Sequence, residues 1–212
     1  MSRLAELARP RPSNKLLQAS NNLLQAEGRC ELCGGAIPDE HRHVADVQAQ
    51  SLLCACRACV VLLGREGAGG GHFKLVPERR RLLEGFVLTD EQWAALQLPI
   101  ELAFFFRSTA AGRVVALYPS PAGATESQLG LDAWEELERS NPILGELEPD
   151  VEALLVNRTG GARDHYLVPI DDCYELVALI RTHWKGLAGG PDVQREVGSF
   201  FDRTRAHAGE VA

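Results

Sequence analysis

Two C-x2-C pairs within 30 residues constrain this chain more than any other feature: Cys30 with Cys33, and Cys56 with Cys59. Two residues between cysteines let the backbone curl so that both thiolates reach one ion. Glycine after the first pair, Gly34 and Gly35, permits the tight, positive-φ turn that such a knuckle needs. Two knuckles supply four sulfurs, a closed tetrahedral shell that suits Zn²⁺ or a lone iron. The full pattern is C-x2-C-x20-C-x-C-x2-C, and the 22 residues between Cys33 and Cys56 run slightly past the commonest template. Five of the six cysteines crowd into positions 30 to 59, a clustering that points to a metal rather than to a disulfide framework. The expected metal ligands are therefore Cys30, Cys33, Cys56 and Cys59, with zinc as the expected ion and iron as the alternative.

Three further residues compete for a place in or beside that shell. Cys54, in an extended segment, would point to the same side as Cys56. It could replace Cys56 as a ligand, or lie beside the site as a small buried hydrophobe. His41 and His43, in DEHRHVAD, sit between the two pairs. They are alternate ligands or outer-shell donors, set against a plainer reading as hairpin residues facing water. The frame C-x2-C…HRHVAD…C-x2-C is similar to that of HNH endonucleases. That chemistry needs a further histidine on the following helix, and VVLLGREG offers none.

The rest of the chain reads as an α+β protein in three stretches. Residues 1–28 form a polar N-terminal arm, with a short amphipathic helix around Asn14–Ala26. A small four-cysteine module of zinc-ribbon or treble-clef-like type occupies 29–64, and GREGAGGG follows as a linker or exposed loop. An antiparallel-sheet domain then occupies 72–206, opening with a strand over His72–Val76. Thr89 is a good N-cap for DEQWAAL. IELAFFF and RVVALY read as a buried hairpin, and EALLVN with HYLVP as a second one. Helices are expected over Leu131–Arg139, Asp172–Trp184 and Asp192–Ala206. Shifting the chain by 50 residues lays FFFRSTAAGRVVALYP over LLVNRTGGARDHYLVP without a gap, so the domain is a candidate for a duplicated ββα unit.

A formal net charge of −7 and a pI of about 5.4 count against a nucleic-acid partner, whose phosphates are usually met by a basic surface. The basic run Arg79, Arg80, Arg81 reads as a solvated face. The N-terminus lacks a signal-type apolar stretch, and no apolar run approaches the roughly 20 residues of a membrane span. A cytoplasmic protein is expected.

In the body, the loop PSPAGATES (Pro119–Ser127) offers Ser120, Thr125, Glu126 and Ser127 on a rigid scaffold. It lacks P-loop spacing. Cys173 follows two aspartates at a helix start, where a thiol can be activated, and His165 or His183 would complete a pair; the alternative is a core cysteine. Trp93, Trp134 and Trp184 read as core anchors. No constellation spells out a reaction, so the expectation leans toward a non-enzymatic protein.

CELC, HRHV, LLCACRAC, YPSPAGATES, PDVEALLVNR and YLVPID-x-CYELVALIR-x-x-W together resemble a bacterial family with a domain-of-unknown-function label, frequent in actinobacteria. The resemblance covers about Arg29 to Ala206. Members tend to be encoded beside high-affinity [NiFe] hydrogenase genes. The resemblance thus implies an accessory role in hydrogenase assembly, with a hydrogenase or maturation protein as partner, or a role in electron transfer through a rubredoxin-like iron or iron–sulfur centre. The family's cysteine motifs fall on Cys30, Cys33, Cys54, Cys56 and Cys59.

Overall fold

The computed structural model describes residues 28–64, 67–127, 131–186 and 189–208. The expected N-terminal arm and its helix lie outside the described residues, apart from Gly28. The chain first forms a hairpin of β1 (Arg42–Asp46) and β2 (Ser51–Ala55), then a short helix α1 (Arg57–Leu63). A 3-10 turn over Ala68–Gly71 follows. The next strand, β3 (Phe73–Leu75), pairs with β1, so the segment expected to open the body instead completes the three-stranded sheet β2-β1-β3.

The body is built on a six-stranded antiparallel sheet. Its strands are β4 (Arg81–Leu82), β5 (Leu102–Ser108), β6 (Arg113–Ser120), β7 (Gly123–Ser127), β8 (Glu152–Asn157) and β9 (Asp164–Pro169), in the order β4-β9-β8-β5-β6-β7. Four helices accompany it: α2 (Asp90–Ala95), α3 (Leu131–Ser140), α4 (Ile170–His183) and α5 (Gly190–Ala208). Thr89 caps α2 through a reciprocal box: its hydroxyl accepts the Gln92 amide at 3.1 Å, and the Gln92 side chain accepts the Thr89 amide at 2.9 Å.

The central strands are apolar at successive positions because both faces of the sheet are covered. Phe104, Phe106, Leu155, Tyr166 and Val168 face Tyr174, Val177 and Phe201 of α4 and α5. Phe105, Ala103, Leu154 and Leu167 face Trp134 and Leu137 of α3, and Leu88 and Leu96 at the ends of α2. Trp134 stacks on Phe105 at 5.5 Å between ring centres. Ala45, Leu52 and Val76 join the first of these clusters, so the three-stranded sheet lends side chains to the core of the body.

The 50-residue correspondence meets the structure in an instructive way. Phe104 pairs with Leu117 and Leu154 with Leu167, so the two hairpins share one register. Yet Phe104 and Leu117 lie on the α4 and α5 side, while Leu154 and Leu167 lie on the α3 side. Corresponding residues thus occupy opposite faces, as a one-residue slip would place them. In addition, β7 intervenes between the first hairpin and its helix. The sheet is therefore not two superposable ββα units at that offset.

Candidate metal centre

The first cysteine pair is held by a backbone knuckle. The Cys30 amide donates to the Gly35 carbonyl at 2.7 Å, and the Gly34 amide to the Cys30 carbonyl at 2.8 Å. Gly34 takes φ +74°, the left-handed conformation expected of it. Gly35 has a different reason: a Cβ there would stand 3.4 Å from the Cys33 sulfur. The second pair is set by a change of structure. β2 ends at Ala55, Cys56 is the extended N-cap of α1, and Cys59 lies in that helix's first turn.

These turns bring one ligand atom from each of Cys30, Cys33, Cys56 and Cys59 within 4.8 Å of one another. Cys33 Sγ and Cys56 Sγ stand 3.7 Å apart. Four sulfurs at about 2.3 Å from one tetrahedral ion would be about 3.8 Å apart, so the set fits such an ion. Burial raises the Cys30 thiol, but N–H groups of Cys56, Leu32 and Cys33 outweigh it and bring the value to about 6. Burial and the thiols of Cys33, Cys56 and Cys30 push Cys59 up to about 12. Four thiolates cannot share this space without a cation, and a divalent ion relieves that conflict.

Cys54 belongs to a different group. The chain turns into α1 at Cys56, which separates the two side chains that an uninterrupted strand would have aligned. Cys54 is buried, and its carbon-bound thiol is pushed up to about 12 by burial and the neighbouring Glu31 carboxylate. Its ligand atom clusters with those of His41 and His43, again within 4.8 Å. Neither histidine is a water-facing hairpin residue: the Nε2 of each is fully shielded from solvent.

The other candidates are drawn into structural work. Cys173 has no exposed surface, and burial with the adjacent Asp172 and Asp171 raises its thiol well above the ordinary value. PSPAGATES is not a loop but the β6–β7 turn and strand. Within it, Ser120 Oγ donates to the Gly123 carbonyl at 2.9 Å and accepts from Thr125 Oγ1 at 3.0 Å. Trp134 is buried as expected, while Trp93 and Trp184 are half-buried at the edges of the clusters.

The arginine run is not a solvated face. Arg79 forks onto Glu152, which is 1% exposed; Arg80 reaches both oxygens of Asp172 at 2.7 Å; Arg81 meets Glu146 at 3.0 Å. Burial raises the Asp172 carboxyl, and the Arg80 guanidinium opposes that shift.

Fold and site together define a mixed helix and antiparallel-sheet protein with four cysteines able to hold a metal ion. Among its described residues no helix is long and apolar enough to cross a membrane. The chain belongs to a family of unknown function (DUF5947), whose profile matches residues 29–208. No curated protein and no solved structure matches it.

Proposed function

We propose that the protein is a non-enzymatic, zinc-binding accessory protein that works through contact with another protein. In this reading Cys30, Cys33, Cys56 and Cys59 hold one structural Zn²⁺. Residues 29–64, with β3 added to their sheet, then act as a treble-clef-like module, and the rest of residues 72–206 as the domain on which it is mounted. The observation that carries the reading is the sulfur set itself, with Cys33 and Cys56 at 3.7 Å and the four ligand atoms within 4.8 Å. Four thiolates close the coordination shell, which is the mark of a structural rather than a catalytic zinc site.

Two further observations support the non-enzymatic part. Cys173 is sealed in the core, and Ser120 is bonded within its turn. Partner contact is supported by α1, none of whose residues is buried: Val61 is 56% and Leu62 69% exposed, directly after the second cysteine pair. The partner proposed from the resemblance is a [NiFe] hydrogenase or a protein of its maturation machinery, in an actinobacterial cytoplasm.

Metal analysis and visible spectroscopy of protein purified without oxygen test the reading. Zinc that is lost in Cys33→Ser and retained in Cys54→Ala is the expected result. Iron with a red, reversibly bleached spectrum would replace it with a rubredoxin-like electron carrier. Capture of hydrogenase-cluster proteins from the native host, lost in the Leu62→Asp variant, tests the partner.

A further inference from the structure

A second group of ligands stands beside the four cysteines, and it goes beyond the zinc reading. His43 and Cys54 are direct partners across the β1–β2 ladder, so their side chains leave the same face of the hairpin. His41, two residues before His43, projects to that face too. The ladder thereby collects two imidazoles and a thiol, with one ligand atom of each within 4.8 Å of the others.

Both rings are fixed in one tautomer. His41 Nδ1 lies 3.0 Å from the carbonyls of Pro38 and Asp39, and His43 Nδ1 lies 2.8 Å from Asp171 Oδ2. Those oxygens only accept, so each Nδ1 carries a hydrogen, which leaves each Nε2 as the nitrogen whose lone pair a metal ion would take. Both Nε2 atoms are shut off from solvent and have no hydrogen-bond partner. Leaving a buried polar atom unsatisfied is destabilising, and this group contains two. One bound ion would meet both at once. A carboxylate on the far nitrogen is also the usual device for orienting a metal-bound imidazole.

We propose that His41, His43 and Cys54 form a second metal-ion site, separate from the four cysteines, which takes one late first-row transition-metal ion through two Nε2 atoms and one thiolate. Two imidazoles and a sulfur select Zn²⁺, Co²⁺, Ni²⁺ or copper over Mg²⁺ and Ca²⁺, whose partners are oxygens. Three protein ligands leave a coordination position that the four-thiolate shell lacks. Glu31 stands at hand for it: its carboxylate accepts the Cys54 amide at 2.6 Å and lies against the thiol. Asp171, from the first turn of α4, is a positioning residue for His43 and ties this site to the body.

Anaerobic Co²⁺ titration of the full-length, metal-stripped chain tests the site, with absorbance and bound metal read together. The wild type is expected to take up a second equivalent with its own visible bands. That equivalent disappears in the His41→Ala/His43→Ala variant, loses its sulfur charge-transfer band in Cys54→Ser, and binds roughly 10- to 100-fold more weakly in Asp171→Asn. The first equivalent survives in all three. A Cys33→Ser/Cys56→Ser chain that keeps only the histidine-sensitive equivalent would show the two sites to be separate, whereas a wild type whose one equivalent is histidine-sensitive would support this site while removing the four-thiolate reading. Saturation of the wild type at one equivalent, insensitive to His41 and His43, overturns the proposal. So does a second equivalent that persists undiminished when both histidines are gone.

Discussion

The three-stranded module and the six-stranded body reach order by different means. In the body, two clusters fill both faces of the sheet, with Phe104, Phe105, Leu154 and Leu155 without exposed surface at its centre. The module's own cluster holds Cys30, Ile37 and Cys54, with Leu32, Cys56 and Cys59 against it. Cysteine thus does there what leucine and phenylalanine do in the body. A core of that size cannot offset the conformational entropy of the residues it orders, whereas a metal ion can.

The largest test of this contrast is to remove the ligands. In Cys56→Ser/Cys59→Ser, amides of β1 and β2 should lose their hydrogen-exchange protection while those of β5 and β8 keep theirs. Structural zinc sites carry binding energies on the order of 10 kcal/mol, which sets the scale of the expected effect. Equal loss in both regions would abolish the distinction.

Arg79, between β3 and β4, probes the segment that joins the two sheets. Truncation to Ala leaves Glu152 buried without its counter-ion, holding only the Glu148 amide, and should cost about 3 kcal/mol in urea unfolding, with part recovered in Arg79→Ala/Glu152→Gln. No recovery would mean that the arginine acts through packing alone.

A pH test bears on the body only. Burial, with Arg158 nearby, lowers His165 from its ordinary 6.5 to about 4. The unfolded chain therefore takes up that proton first. The stability is fully present above pH 6.5 and falls as the pH drops toward 4, by about 2 kcal/mol at pH 5. The wild type should lose this increment and His165→Gln should not, as read by urea midpoints at pH 7.5 and 5. The smallest expected effect is Thr89→Ala, about 1 kcal/mol through loss of the α2 cap, with metal content unchanged.

The body was the more legible region in the sequence. IELAFFF and EALLVN announce strands because burial on both faces leaves no polar position to blur the pattern. β7 was hidden because Pro, Gly and Ser signal a turn. Pro119 is tolerated in β6 because it lies beyond Leu117, where the β5 pairing registers begin at Phe104, so its missing N–H falls outside that ladder. The arginine run misleads for another reason. Its carboxylates lie 73, 92 and 65 residues further along, and no local pattern reveals partners at such distances. In the module, C-x2-C spacing is itself the geometry, so the four-cysteine set could be read directly. The grouping of His41, His43 and Cys54 depends on hairpin register, which the spacing between them does not specify.

The bond between His43 and Asp171 has a consequence for the order of biosynthesis. The four cysteines emerge from the ribosome about 110 residues before Asp171 does, a delay of roughly 6 to 22 seconds at ordinary elongation rates. During that interval the knuckles and the β1–β2 hairpin have only local partners and can take an ion on the nascent chain. The imidazole of His43 finds its orienting carboxylate only after the start of α4 has been translated. One half of the module's chemistry is therefore available co-translationally, and the other half belongs to the finished polypeptide.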